Sequence, residues 1–382
     1  MSNTIVILGA SVRAAAFSAL AANLRPVGGD LFADADLAAR APVAAVRPYP
    51  AGLEAVARAA PAGPWMYTGA LENGPELVDR ISRQRPLYGN PGRVLVRVRD
   101  PLAVCLSLDR AGLNAPESRF TSAGLPRNGL WLCKPRKSSG GRRVQVLTTD
   151  FDVGRDESAW YFQRRIEGLP CAAVFVAAGG DARLLGVTEQ LLRPGRAGRQ
   201  SFCYAGSLGP LRLGVPAATA FDQIGRALSR DFELRGLFGV DAILAGDTVW
   251  PVEVNPRYSA SVEVLEQALE FSAVGWHVAA CRDGRLPPSG DVSHTTWCGK
   301  EILFAAADIE IPQRFTEHAM RHNRGIERPE VADIPAPRTR LAAGQPILTV
   351  LGQADAREEM RQTLRERLQH WKGLLARTCT GR

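Results

Sequence analysis

The stretch from Leu237 to Ser261, LFGVDAILAGDTVWPVEVNPRYSAS, constrains the fold more than any other. Two apolar runs, LFGVDAIL and VWPVEVNPR, flank Ala245-Gly246-Asp247, the pattern of two strands joined by a tight turn. Alternate residues of a strand share a face, so Glu253, Asn255 and Arg257 project together from a segment that otherwise reads as buried. Asp241 lies on the preceding strand. An odd-length loop, or a bulge, sets Asp241 opposite Glu253, whereas an even loop turns it to the other face. Two carboxylates and an amide oxygen on one surface are hard ligands suited to Mg²⁺. The same residues also suit an exposed ion-paired face with Arg257 as counter-charge, and both readings stand at this point.

Two further segments carry chemistry. In CKPRKSSGGRRVQV, Cys133 to Val146, Lys134 sits in a strand and a Ser-Ser-Gly-Gly turn follows. Glycines let backbone N–H groups approach an anion, and a lysine supplies a point charge for phosphate. An ordinary hairpin turn with solvated cations has the same composition, and the GxxxxGK[ST] pattern is absent. In YFQRRIEG, Tyr161 to Gly168, an extended chain could offer backbone groups to an adenine and Glu167 to ribose hydroxyls; an amphipathic strand is the plainer reading.

The 382 residues suit two or three domains. TIVILGA, closed by Gly9, reads as a strand, and SVRAAAFSALAANL as the helix after it. DLFADADL, PWMYTGAL and PLYGN read as further strand ends, and PELVDRIS as a helix with proline at its start. This alternation predicts a parallel sheet over residues 1–95. The middle segment changes character. PLAVCLSLDRAGLNAP reads as a helix, and LWLCKPR, VQVLT, WYFQRRIEG, AAVFVAAG and ARLLGVTEQL as strands of a mainly antiparallel sheet. SVEVLEQALEFSAVGWHVAACRDG reads as one long helix. After RLPPSGDVS comes a third segment, with the strand PILTVLGQ and a closing helix striped by Met360, Leu364, Leu368, Trp371 and Leu375.

Lys134 with its glycine loop, then the adenine-type strand, then the carboxylate strand pair, in that order, resemble the ATP-grasp superfamily, in particular carboxylate–amine ligases and ATP-dependent carboligases related to biotin carboxylase. The resemblance implies an α/β and α+β architecture. Residues 1–95 would be a Rossmann-like preceding domain, 96–285 the ATP-grasp domain with small and large lobes, and 286–382 a small closing domain. It implies ATP and Mg²⁺ as cofactors. Lys134 would bind phosphates under a loop containing Gly140 and Gly141. Gln163, Arg165 and Ile166 would line the adenine site, and Glu167 would hold ribose. Asp241, Glu253 and Asn255 would hold metal, and Arg257 would steady the transferred phosphoryl group. The implied reaction activates a carboxylate as an acyl phosphate and joins it to an amine. CYAGSLGPL is similar to a segment of ligases that use glutamate in cofactor biosynthesis. One departure stands out: Pro101 occupies the place of a second phosphate lysine, which Arg97 or Arg99 would have to replace.

Two other classes are open to the same sequence. A dinucleotide-dependent oxidoreductase would use the first segment, where only Gly9 of three fingerprint glycines is present, although Asp34 and Asp36 sit at a ribose-like spacing. A non-catalytic or regulatory nucleotide-binding protein would tolerate Pro101. The net charge of +8 raises the question of nucleic acid, but four of 47 basic residues are lysine and arginine is spread evenly, so none is expected. The seven cysteines form no CxxC pair, and His318 and His322, four apart, lack an HExxH pattern; free thiols in a cytoplasmic protein and a packed histidine pair are expected. The N-terminus reads as the start of a fold, not as a signal peptide, and no run is long enough for a membrane span. The expected partners are small-molecule carboxylate and amine substrates, and a homodimer is compatible with the architecture.

Overall fold

The computed structural model describes residues 3–149, 156–193, 195, 202–288, 296–324 and 328–379. Part of the Pro-rich stretch that opens the third segment lies outside these residues. Thr4–Leu8 is the centre of a four-stranded parallel sheet in the order Val43–Ala45, Arg25–Asp30, Thr4–Leu8, Trp65–Tyr67. The strand Arg25–Asp30 (RPVGGD) lacks the apolar run that marks its neighbour, and the sequence reading caught only its last residue, Asp30. Its glycines answer to packing: a Cβ on Gly29 would lie 2.8 Å from Leu8 Cδ2, and one on Gly28 3.1 Å from Val12 Cγ2. PLYGN forms no strand; Leu87 makes only a single bridge to Trp65.

The central element is an antiparallel sheet of eight strands. Their order is Thr248–Asn255, Gly236–Ala245, Leu169–Ala178, Asp181–Leu192, Tyr204–Gly209, Trp297–Phe304, Pro346–Ala354 and Val331–Ala332. The third segment therefore extends this sheet, with Trp297–Phe304 hydrogen-bonded directly to Tyr204–Gly209, and adds only a two-stranded sheet of its own, Ile309–Glu310 with Arg340–Leu341. Leu169–Ala178 is buried on both faces, as its unbroken apolar run requires. Phe175 faces the helix Val215–Phe232 and stacks on Phe238 with ring centroids 4.9 Å apart. Gly225 of that helix makes room, since a Cβ there would lie 2.5 Å from the Phe175 ring. Val174 and Val176 face the other way, into a core shared with Ile5, Ile7 and Met66 of the parallel sheet.

The expected long helix after Tyr258 is two helices, Val262–Leu269 and Ala273–Asp283. Glu270 takes a left-handed conformation (φ 54°), and Ser272 caps the second helix by accepting from Gly275 N at 2.9 Å. The sequence reading missed that cap, because the apolar pattern runs on through it. The closing helix Arg357–Cys379 buries Met360, Leu364, Trp371 and Leu375, with Leu368 partly covered, as its stripe predicts. His318 and His322 pack edge-on against Trp371. No helix among the described residues is long and apolar enough to cross a membrane.

A second, smaller antiparallel sheet has the order Ser118–Arg119, Trp160–Arg164, Asn128–Pro135, Gln145–Thr148. It has its own core of Trp131, Cys133, Leu147, Trp160 and Phe162. Lys134 of this sheet reaches Val252 at the edge of the large one, and the space between the two sheets is the site described next.

Candidate active site

The hairpin that opened the sequence reading solves its register with a bulge. Ala245 pairs with Thr248, so the loop is the two residues Gly246 and Asp247. An even loop would set Asp241 opposite Val252. Instead the register shifts between Asp241 and Ala242, which pair with Glu253 and Pro251, and Val252 is the extra residue. Asp241 and Glu253 are thus directly paired. Asn255 Nδ2 donates to Asp241 Oδ2 at 3.1 Å, and Gln190 Nε2 to Asp241 Oδ1 at 2.9 Å. The bulge has a second effect: the Val252 carbonyl turns to the small sheet and accepts from Lys134 Nζ at 3.2 Å and Gln163 Nε2 at 3.4 Å.

Lys134 is buried, and its ammonium also donates to Gln163 Oε1 at 2.9 Å. Burial opposes its charge, but Tyr161 and Glu253 outweigh that, and the amine is held above its usual value. Burial likewise works against a charge on Glu253, yet Arg99 and Lys134 keep its carboxyl below the ordinary range. Asp241 has no such direct cation. Burial and the neighbouring Glu253 push it up to about 7.

These groups line one cleft of about 450 Å³. Arg165, Ile166 and Glu167 form one end with Leu192 and Ile243; Arg165 N donates to Leu130 O at 2.9 Å, and the Glu167 carboxylate is 89% exposed. Gln163 differs from these three in that its amide is tied to Lys134. Asp241, Glu253 and Asn255 form the wall, and Arg257, Ser259 and Ser261 the far end. Gly140 and Gly141 both have left-handed backbone, φ 63° and 69°. A Cβ on Gly141 would lie 1.9 Å from Phe202 O, so the loop can dock on the large sheet only with glycine there. Gly140 O accepts from Tyr204 N at 3.0 Å, which fixes the loop across the cleft mouth.

Arg257 does not point freely into the cleft. Its Nη2 and Nε donate to Glu72 Oε1 at 2.7 and 3.0 Å, and Nη2 also to Asn255 Oδ1 at 3.1 Å. Glu72 comes from the short turn of helix Leu71–Asn73 after the parallel sheet, and its other oxygen is buried without a partner. Of the two candidate arginines near Pro101, Arg97 lies 52% exposed and donates to Asp231 O at 2.7 Å. Arg99 is the one that ion-pairs with Glu253, from a small crevice beside the cleft. Sequence reasoning missed Glu72, Gln190 and the Val252 carbonyl. A glutamine inside the apolar run LLGVTEQLL was a legible signal for Gln190; nothing local marked Glu72.

Asp36 serves a different purpose from a ribose contact. Asp36 accepts from Asp333 N and Ile334 N at 3.0 and 3.1 Å, binding the third segment to the first. No three His, Cys, Asp or Glu side chains converge as a metal cluster among the described residues, so a metal would rest on the two carboxylates and the amide oxygen.

Comparison with known proteins bears on the fold that carries these residues. Residues 98–261 match the model of an ATP-grasp domain. A formate-dependent phosphoribosylglycinamide formyltransferase of Xanthomonas axonopodis is 29% identical over 176 residues, 42% of this chain and 40% of that protein. The chain thus spans well under half of that curated relative. An ADP complex of N5-carboxyaminoimidazole ribonucleotide synthetase superposes with TM-score 0.70 at 16% identity, covering 97% of both chains. An L-amino acid ligase from Bacillus licheniformis superposes with TM-score 0.67 at 14% identity, covering 96% of this chain and 97% of the ligase. Residues 98–261 thus carry an ATP-grasp domain, and the described fold as a whole is that of these solved structures.

Proposed function

We propose that the protein is an ATP- and Mg²⁺-dependent, ADP-forming ligase that activates a carboxylate as an acyl phosphate and joins it to an amine. The observation that carries this reading is the bulged register, which puts Asp241, Glu253 and Asn255 on one wall facing Lys134 and the Gly140–Gly141 loop. The donor set fits a hard divalent cation: Glu253 is held ionised, and Asn255 offers Oδ1 on the same face. A bound Mg²⁺ would neutralise charge developing on the transferred phosphoryl group. Lys134 stays cationic and is anchored at two acceptors, so it can bind phosphate without reorienting its stem. Nucleotide phosphates would lie under the glycine loop, with the base toward Arg165–Glu167. The acid and the amine would occupy the end bounded by Arg257, Ser259 and Ser261, where the Glu72 clamp fixes the guanidinium for the reacting carboxylate. Positioning and charge neutralisation are the protein's contribution, and no covalent residue is required.

The relatives support the class. One is formate-dependent, one solved neighbour binds ADP, and another is a ligase of L-amino acids. ADP release screened against pooled carboxylates and amines tests the proposal. A pool-dependent rise in ADP that Glu253→Ala abolishes is expected; unchanged turnover by that variant overturns the metal assignment.

A further inference from the structure

Arg99 has a place in the site beyond the phosphate contact that the superfamily resemblance assigns to Arg97 or Arg99: it already holds a carboxylate of the metal wall. It follows the helix Gly92–Val98 and precedes Asp100, whose carboxylate caps the helix Pro101–Arg110 by accepting from Leu102 N and Ala103 N at 2.9 and 3.3 Å. The side chain therefore starts from a fixed point between two helices. Its guanidinium is 12% exposed. It ion-pairs with Glu253 and donates to Ser138 O at 3.3 Å, in the loop that leads to Gly140. Its Nε is buried and has no partner. Arg99, Lys134, Ser138, Gly141 and Glu253 enclose a crevice of about 40 Å³.

Glu253 and Glu72 are already paired with cations before any ligand arrives. Glu72, Asp241 and Glu253 face Arg99, Lys134 and Arg257. A bare divalent cation entering this partly desolvated wall would have to displace a guanidinium from Glu253 and leave two charges uncompensated. A divalent cation arriving with a polyphosphate brings an acceptor for that guanidinium. Building on the ligase reading, we infer that Arg99 is the resident counter-cation of Glu253 and passes to the nucleotide phosphates when a metal takes that carboxylate. Arg99 then couples the two ligands: it competes with metal alone and favours metal together with nucleotide.

Mn²⁺ binding followed by electron paramagnetic resonance, with and without ADP, tests this independently of turnover. Without nucleotide, Arg99→Gln is expected to bind Mn²⁺ roughly tenfold more tightly than the wild type, while its ADP affinity in the presence of Mn²⁺ falls roughly tenfold. Arg99→Lys keeps the charge but loses the fork, and it is expected to gain Mn²⁺ affinity several-fold; it serves as the reading variant if Arg99→Gln does not fold. Nucleotide-free Mn²⁺ affinity unchanged or weakened in the folded variant overturns the inference, provided Glu253→Gln loses Mn²⁺ binding. If Glu253→Gln binds Mn²⁺ with ADP as well as the wild type does, the metal site and this inference fall together.

Discussion

Two buried charge networks sit ten residues apart in sequence, one built on Glu253 and one on Glu263, and they differ in how completely they are paired. Arg13 is 2% exposed and binds Asp333 through Nε and Nη2 at 2.9 and 3.2 Å. It also binds Glu263, whose carboxylate is shared with Lys300 Nζ at 3.0 Å. Every guanidinium nitrogen has a carboxylate, and the partners come from all three segments of the chain. Around the cleft, by contrast, Arg99 Nε, Glu72 Oε2 and Ser259 Oγ are buried without partners, and Asp241 is held by two amides and no direct cation. A saturated network fastens segments together. An unsaturated one beside an open cleft keeps bonding capacity for a ligand.

Substitutions can break that contrast. The largest effect is expected on activity: Glu253→Ala should lower ADP-forming turnover by roughly a thousandfold, with a small change in unfolding midpoint, because it removes a ligand-facing group. Arg13→Met should show the reverse signature. It leaves Asp333 and Glu263 short of their main cation, and a loss of about 3–5 kcal/mol is expected in urea unfolding. Equal stability losses in both variants would erase the distinction between fastener and site.

His277 sharpens the contrast through pH. Its Nδ1 accepts from Leu237 N at 2.8 Å and its Nε2 donates to Tyr88 O at 3.1 Å, so both nitrogens are engaged in the neutral ring. Burial lowers it to about 4 from an ordinary 6.5. Below 6.5 the unfolded chain takes a proton that the folded one refuses, so stability rises with pH through this window and is lost as pH falls from about 6.5 to about 4. The full difference is about 3 kcal/mol. Buried carboxyls such as Glu266, raised by burial to about 7, slope the opposite way, since they hold a proton when folded that the unfolded chain releases. The measurement is therefore the difference between wild type and His277→Gln, which should lose this acid-side slope; parallel profiles would contradict the assignment. The smallest effect belongs to Arg97→Ala. Its exposed contacts with Asp231 and Glu233 should contribute within about 0.5 kcal/mol, and metal binding should not move. A large metal effect there would reassign the role given to Arg99.

What the sequence could show was whatever is written in local spacing. The strand Leu169–Ala178 announced its two-sided burial by an unbroken apolar run, and the closing helix its core face by a stripe at helical intervals. The order of Lys134, Gly140–Gly141, Asp241 and Glu253 was enough to suggest the superfamily. The sequence also posed the register problem of the Gly246 turn, because parity follows from counting residues. It could not say how parity was resolved. The bulge at Val252 depends on pairing with the neighbouring strand, and its carbonyl gains a purpose only when Lys134 arrives from another sheet. Arg99 and Arg97 look alike in VRVRDP, and helix packing alone sends one to Glu253 and the other to the surface. Glu72 and Arg257 lie 185 residues apart, a pairing that no local propensity encodes. Periodicity determined which faces are buried, and tertiary packing decided which buried charges meet.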